Sequence, residues 1–199
     1  MVQERQIRSF IAIELPSELK AILGSFQNEM ASAGGSFVKW VPPDSIHITL
    51  KFLGNVPTEK IEAISSAIEQ ACAKAGPFTL AMGELGGFPN LNQPRVLWVG
   101  LHGDIERVKS LQISIDNRLV RLGFEKEKKE FTPHITLARM RDKASPVDRR
   151  KFGELIMNKH FDFKYKIDVE SINLMRSRLL PGGAVYSCLT KLKLGSTNM

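Results

Sequence analysis

The chain has 199 residues, 43% hydrophobic and 25% charged, with 28 lysines and arginines against 21 aspartates and glutamates. That apolar share excludes a disordered chain, and the length accommodates one large domain or two packed lobes. No apolar run reaches the roughly 18 residues that span a bilayer, and Met1 to Arg8 lacks the apolar core of a secretion signal, so a cytoplasmic protein is expected.

Strands alternate with amphipathic helices. Ile7 to Leu15 reads as a strand, and Pro16-Ser17-Glu18 opens a helix to about Ala33, ended by Gly34-Gly35. Phe37 to Val41 and Ile46 to Leu53 read as strands around the Pro42-Pro43-Asp44 turn. From Pro57 a helix shows Ile61, Ile64, Ile68 and Ala71 at helical spacing. Phe78 to Leu85 and Arg95 to His102 are strands. Asp104 is placed to cap a third helix with Ile105, Val108, Leu111, Ile115, Leu119 and Leu122 on its inner face, stopped by Gly123. Phe131 to Met140 is a strand, and Ser145 to Asp148 has the spacing of a capping box for a fourth helix. Two late strands, about Phe163 to Leu174 and Ala184 to Leu194, precede a loose tail, Gly195 to Met199.

Cys72 and Cys188, the only cysteines, each lie in an apolar stretch and read as reduced core thiols. The net charge of +7 favours an anionic partner, with nucleic acid foremost, although the run from Glu125 to Glu130 is mixed in sign and no polycationic tail exists.

The informative feature is an internal echo. His47-Ile48-Thr49-Leu50 recurs as His134-Ile135-Thr136-Leu137, 87 residues later. In a strand, His47 and Thr49 point to one face while Ile48 and Leu50 point to the other, and the second copy behaves alike. Each copy is therefore a polar ledge on an apolar anchor. An imidazole exchanges protons near neutral pH, and a hydroxyl donates to a phosphate oxygen without adding charge. Two facing ledges suit in-line displacement at phosphorus, one imidazole deprotonating the nucleophile and the other protonating the leaving oxygen. His102 and His160 lack such a context and are assigned to the surface. No metal site is expected, because neither ledge shows His-x-His, His-x-x-x-His or an alternating carboxylate.

The paired His-x-Thr motifs, with Arg8 to Ile13, Lys51-Phe52-Leu53-Gly54, Arg95 to Gly100 and Phe131 to Arg139, resemble the 2H phosphoesterase superfamily. Within it the chain resembles the RNA 2′,3′-cyclic phosphodiesterases, also called 2′-5′ RNA ligases. The resemblance implies an α+β fold of two pseudo-symmetric lobes, residues 1–199 forming one two-lobed domain. Each lobe would be an antiparallel sheet with helices on its outer face, and the motifs would face one another across a central cleft. It implies metal-independent opening of RNA 2′,3′-cyclic phosphates to 2′-phosphomonoesters, without cofactor. His47 would be proton donor and His134 proton acceptor, with Thr49 and Thr136 on the non-bridging oxygens. Reversal would join RNA through a 2′-5′ linkage. The residues themselves leave open which histidine plays which part.

Arg139 is a candidate phosphate ligand, although simple alternation turns it away from Thr136. Lys51 shares the face of His47 and Thr49 by the same rule and is placed in the cleft or at its rim. Phe52 and Phe88 are candidate base-stacking residues, while Trp40 reads more as core. Arg176 and Arg178 lie either at the cleft or on an outer face. Alternative functions are hydrolysis of another cyclic phosphate or a 2′-5′ oligonucleotide, and non-catalytic binding of RNA ends. A monomer is expected, because two lobes of one chain close their own cleft.

Overall fold

In the computed structural model, residues 5–161, 163–181 and 183–195 are described. The tail assignment for Gly195 to Met199 lies beyond them except for Gly195. The strands are β1 (Gln6–Glu14), β2 (Val38–Trp40), β3 (His47–Pro57), β4 (Phe78–Phe88), β5 (Val96–Gly103), β6 (His134–Met140), β7 (Lys166–Val169), β8 (Ser171–Leu180) and β9 (Gly183–Lys193). The helices are α1 (Ser17–Gly34), α2 (Ile61–Cys72), α3 (Ile105–Val120) and α4 (Pro146–Met157). Among the described residues, no helix is long and apolar enough to cross a membrane.

The strand order is β7-β4-β5-β6-β3-β1-β8-β9, with β2 also on β6. It reads as two four-stranded antiparallel halves meeting at β6 and β3, where the paired position is Ile48 with Ile135. Beyond that contact the edges diverge, and β2 takes the rest of β6 from Val38–Met140 to Trp40–Ala138. The result is an α+β fold of two lobes related by a pseudo-two-fold axis between the His-x-Thr motifs.

Helices cover one face of the sheet because their apolar residues recur at helical spacing: Leu19, Leu23, Phe26 and Met30 in α1, and Val108, Leu111, Ile115 and Leu119 in α3 are all buried. One apolar core, including Ile48 and Ile135, runs beneath both lobes. Ser145 caps α4 reciprocally with Asp148, as its spacing predicts. Asp104 departs from expectation: its side chain accepts the Thr79 N–H at 2.9 Å, tying α3 to β4, and does not cap the helix.

Two further expectations are corrected. The apolar stretch Phe163 to Leu174 is two strands: β7 pairs with β4, and after Glu170 the chain crosses lobes so that β8 pairs with β1. Cys72 is buried, but Cys188 is exposed; it lies on β9, the edge strand of the sheet among the described residues.

Candidate active site

Antiparallel pairing of Ile48 with Ile135, with both side chains in the core, turns the flanking residues of each motif to the opposite face of the sheet. His47, Thr49, His134 and Thr136 thus ring the pseudo-two-fold axis. The register sets His47 towards Thr136 and Thr49 towards His134.

Each imidazole is held the same way. His47 Nδ1 lies 2.8 Å from the Ser45 carbonyl oxygen, and His134 Nδ1 lies 2.7 Å from that of Thr132. A carbonyl only accepts, so Nδ1 carries the hydrogen in both rings and Nε2 is left for the cleft. Aromatic side chains flank each ring. Phe10 stacks on His47 at 4.8 Å and Tyr186 meets it edge-on at 5.3 Å. Phe88 meets His134 edge-on at 5.1 Å, with Trp98 at 6.1 Å. Gly86 gives the indole its room, since a Cβ there would fall 2.1 Å from the Trp98 ring.

This packing strips water from the imidazoles and disfavours their charged forms. Burial lowers His47 to about 4, offset in part by the Ser45 hydrogen bond and reinforced by Lys20. Burial likewise lowers His134, against the Thr132 hydrogen bond and with the Arg139 charge. Both rings are therefore neutral in the free protein at neutral pH, each with a basic Nε2.

Because the folded value of His47 lies below the unfolded 6.5, its contribution is complete above pH 6.5 and is lost as pH falls towards about 4. The span corresponds to about 3 kcal/mol. Urea unfolding between pH 7 and pH 4 should show a loss of that order, and His47→Gln should remove most of it. An equally steep loss in the variant would exclude His47 as the source.

The neighbouring candidates are redistributed by bulges. In β3 the register with β1 slips between Thr49 and Lys51, and in β6 the register with β5 slips between Thr136 and Ala138. The two motifs share one burial pattern: residues 47–53 and 134–140 match position by position. Each slip moves the following residues to the opposite face. Arg139 thereby joins His134 and Thr136, against the alternation rule. Phe52, 66% exposed, joins the His47 face beside Phe10 at 6.1 Å. The carbonyl of the bulged Leu137 is taken by Val41 N–H and by Gln27 Nε2, both at 2.9 Å.

Lys51 is the corresponding correction. It turns away from the cleft and is buried, its Nζ 2.5 Å from Asp116 Oδ1 and 2.9 Å from the Glu125 carbonyl. The same slip that admits Phe52 expels Lys51. On β8, Met175 packs with Phe10 and Ala12 on the histidine side, so Arg176 and Arg178 turn to the other face. Trp40 packs against Phe152 at the edge of the core. His102 is exposed beside Glu84 at 3.1 Å, and His160 is also exposed. Phe10, Trp98 and Tyr186 were not anticipated as site residues. Phe10 and Trp98 lie within the family-like segments quoted from sequence, but only their strand partners bring them to the imidazoles. Among the described residues, no three His, Cys, Asp or Glu side chains cluster as a metal site.

The model of the family described as LigT like phosphoesterase matches twice, over residues 13–98 and 99–186. The RNA 2′,3′-cyclic phosphodiesterase of Methanothermobacter thermautotrophicus is 31% identical over 189 residues, covering 95% of this chain and 100% of that protein. The Thermus thermophilus protein of the same name is 32% identical over 195 residues, covering 94% and 90%. Among solved structures, E. coli LigT complexed with 3′-AMP has a TM-score of 0.75 at 26% identity, covering 95% of this chain and 98% of LigT. A solved structure from Thermus thermophilus has a TM-score of 0.75 at 28% identity, covering 96% and 100%. With two matches spanning most of its length and relatives aligned nearly end to end, the chain belongs to the LigT-like phosphoesterases of the 2H superfamily.

Proposed function

We propose that this protein opens RNA 2′,3′-cyclic phosphates to 2′-phosphomonoesters by metal-independent, two-histidine acid–base catalysis. The observation that carries the reading is the pair of His-x-Thr ledges on one sheet face, each imidazole fixed through Nδ1 to a carbonyl with Nε2 left for proton transfer. His134 Nε2 takes a proton from water as its oxygen attacks phosphorus. The P–O3′ bond breaks, and O3′ leaves with the proton of His47 Nε2. Thr49 and Thr136 donate to the non-bridging oxygens, and Arg139 balances their charge.

The division of labour follows the family resemblance: burial and a nearby cation lower both rings, Lys20 at His47 and Arg139 at His134, and the aromatic contacts are what differ. Phe10 stacks on His47 and offers a negative ring face to the imidazolium once a proton is present. The donor must gain that proton as the anionic substrate enters, because nearby negative charge favours the charged ring. Phe52 and Phe88 provide apolar surface for the nucleoside, and the reverse reaction would join RNA ends through a 2′-5′ linkage. The reading takes residues 1–199 as one two-lobed unit acting as a cytoplasmic monomer, since both ledges come from one chain.

The test is turnover of a nucleoside 2′,3′-cyclic phosphate and of a short RNA bearing that end, with excess chelator. Release of the 2′-phosphate despite chelator is expected. Loss of turnover on chelation would replace the two-histidine reading with a metal-dependent one. Turnover only of an ADP-ribose cyclic phosphate or a 2′-5′ oligonucleotide would move the assignment to those substrates, and binding of RNA ends without turnover of any of them would make the protein a binding module.

A further inference from the structure

Phe52, which stands on the His47 face, also lines a groove of about 520 Å³, within the size range of ligand pockets. One wall is the middle of β3, with Phe52 and Gly54; the other is the irregular segment after α3, with Phe124, Lys126, Lys128 and Lys129. The second wall has no helix or strand; the Phe124 N–H reaches the Leu119 carbonyl at 3.2 Å, and beyond it side chains hold the segment. Lys51 donates to the Glu125 carbonyl at 2.9 Å, and Asp116 Oδ2 accepts the Glu127 N–H at 3.1 Å. Lys60 reaches the Leu122 carbonyl at 3.3 Å, and Lys109 meets Glu130 at 3.4 Å. Lys51 and Asp116 are themselves a buried ion pair. Such a pair is costly to desolvate, and its remaining hydrogen bonds both go to this wall.

We propose that this groove carries the RNA strand upstream of the reacting end, an inference that rests on the cyclic-phosphate reading above. A 2′,3′-cyclic phosphate terminates a strand, so the polymer leaves the site in one direction only. The His134 side of the cleft is occupied by Phe88, Trp98 and the Arg139 charge, whereas on the His47 side Phe52 also lines the groove. Two aromatic rings with three exposed ammonium groups match what single-stranded nucleic acid needs, a stacking surface and counter-charges along its backbone. Glu125, Glu127 and Glu130 stand in the same segment, Glu130 sharing Lys109 with Glu106. The grip is therefore a few phosphate contacts, not a polycationic surface.

The experiment compares the parent, a Lys126→Gln/Lys128→Gln/Lys129→Gln variant and a charge-matched control, Lys143→Gln/Arg150→Gln/Lys151→Gln. Each is assayed for turnover of a cytidine 2′,3′-cyclic phosphate and a hexanucleotide with the same end. Binding of the 5′-labelled hexanucleotide is followed by anisotropy across salt concentrations. The groove variant should lose hexanucleotide affinity on the order of ten-fold at moderate salt, with a salt slope shallower by about 0.7 per phosphate contact removed. Its mononucleotide turnover should be unchanged, and the control should match the parent. Equal hexanucleotide binding by groove variant and control would overturn the proposal, as would equal losses on both substrates. Because binding is read without turnover, a parent that binds but hydrolyses neither substrate would refute the catalytic reading and leave the groove result intact.

Discussion

Alanine at either His47 or His134 is expected to lower kcat on a 2′,3′-cyclic phosphate by at least about 10²–10⁴-fold, the usual contribution of one placed acid or base. The fold should survive, because both rings are only partly buried and the apolar anchors Ile48 and Ile135 remain. Unfolding at pH 7 and circular dichroism would check this. The two variants should differ when the leaving group changes. A diester with an acidic phenol as leaving group needs no proton donor, so His47→Ala should recover most of its activity on it and His134→Ala should not. Recovery confined to His134→Ala would exchange the roles, and near-normal turnover by either variant on the cyclic phosphate would end the two-histidine mechanism.

The second large effect is on stability. Lys51→Met is expected to cost about 3–5 kcal/mol in urea unfolding at pH 7, because it leaves the Asp116 carboxylate buried without its counter-ion. Asp116→Leu should be comparably damaging through the stranded ammonium. Combining Lys51→Met with Asp116→Leu should restore much of the loss, since an apolar pair avoids both desolvation penalties. A double variant as unstable as the sum of the singles would show that hydrogen bonds to the Glu125 carbonyl and the Glu127 N–H, and not the charges, carry the stability.

The centre of the site was legible because its information is local. Four consecutive residues repeated in strands fix two imidazoles and two hydroxyls to one face, and that face is set by burial of Ile48 and Ile135. Helix faces were legible for the same reason: Ile64, Ile68 and Ala71 state their own periodicity. What alternation misassigned lies beyond the bulges at Leu50 and Leu137. Alternation puts Lys51 on the cleft face or its rim and turns Arg139, a candidate phosphate ligand by resemblance, away from it; the slip that reverses both is set by the partner strands β1 and β5 and leaves no mark in the strand's own residues. The division between β7 and β8 was invisible for a related reason. The stretch is apolar on both sides of Glu170, and only the pairing partners, β4 and β1, reveal that it serves two lobes.

The family matches divide the chain near residue 98, yet β4, from the first half, pairs with β5 at the start of the second, and β8, from the second half, returns to β1. The two halves have traded strands. Neither sequence half could build a four-stranded sheet from its own strands, because each lobe draws strands from both halves. The boundary between the repeats in sequence is therefore not a boundary between the lobes in space, and each sheet is a joint product of both repeats.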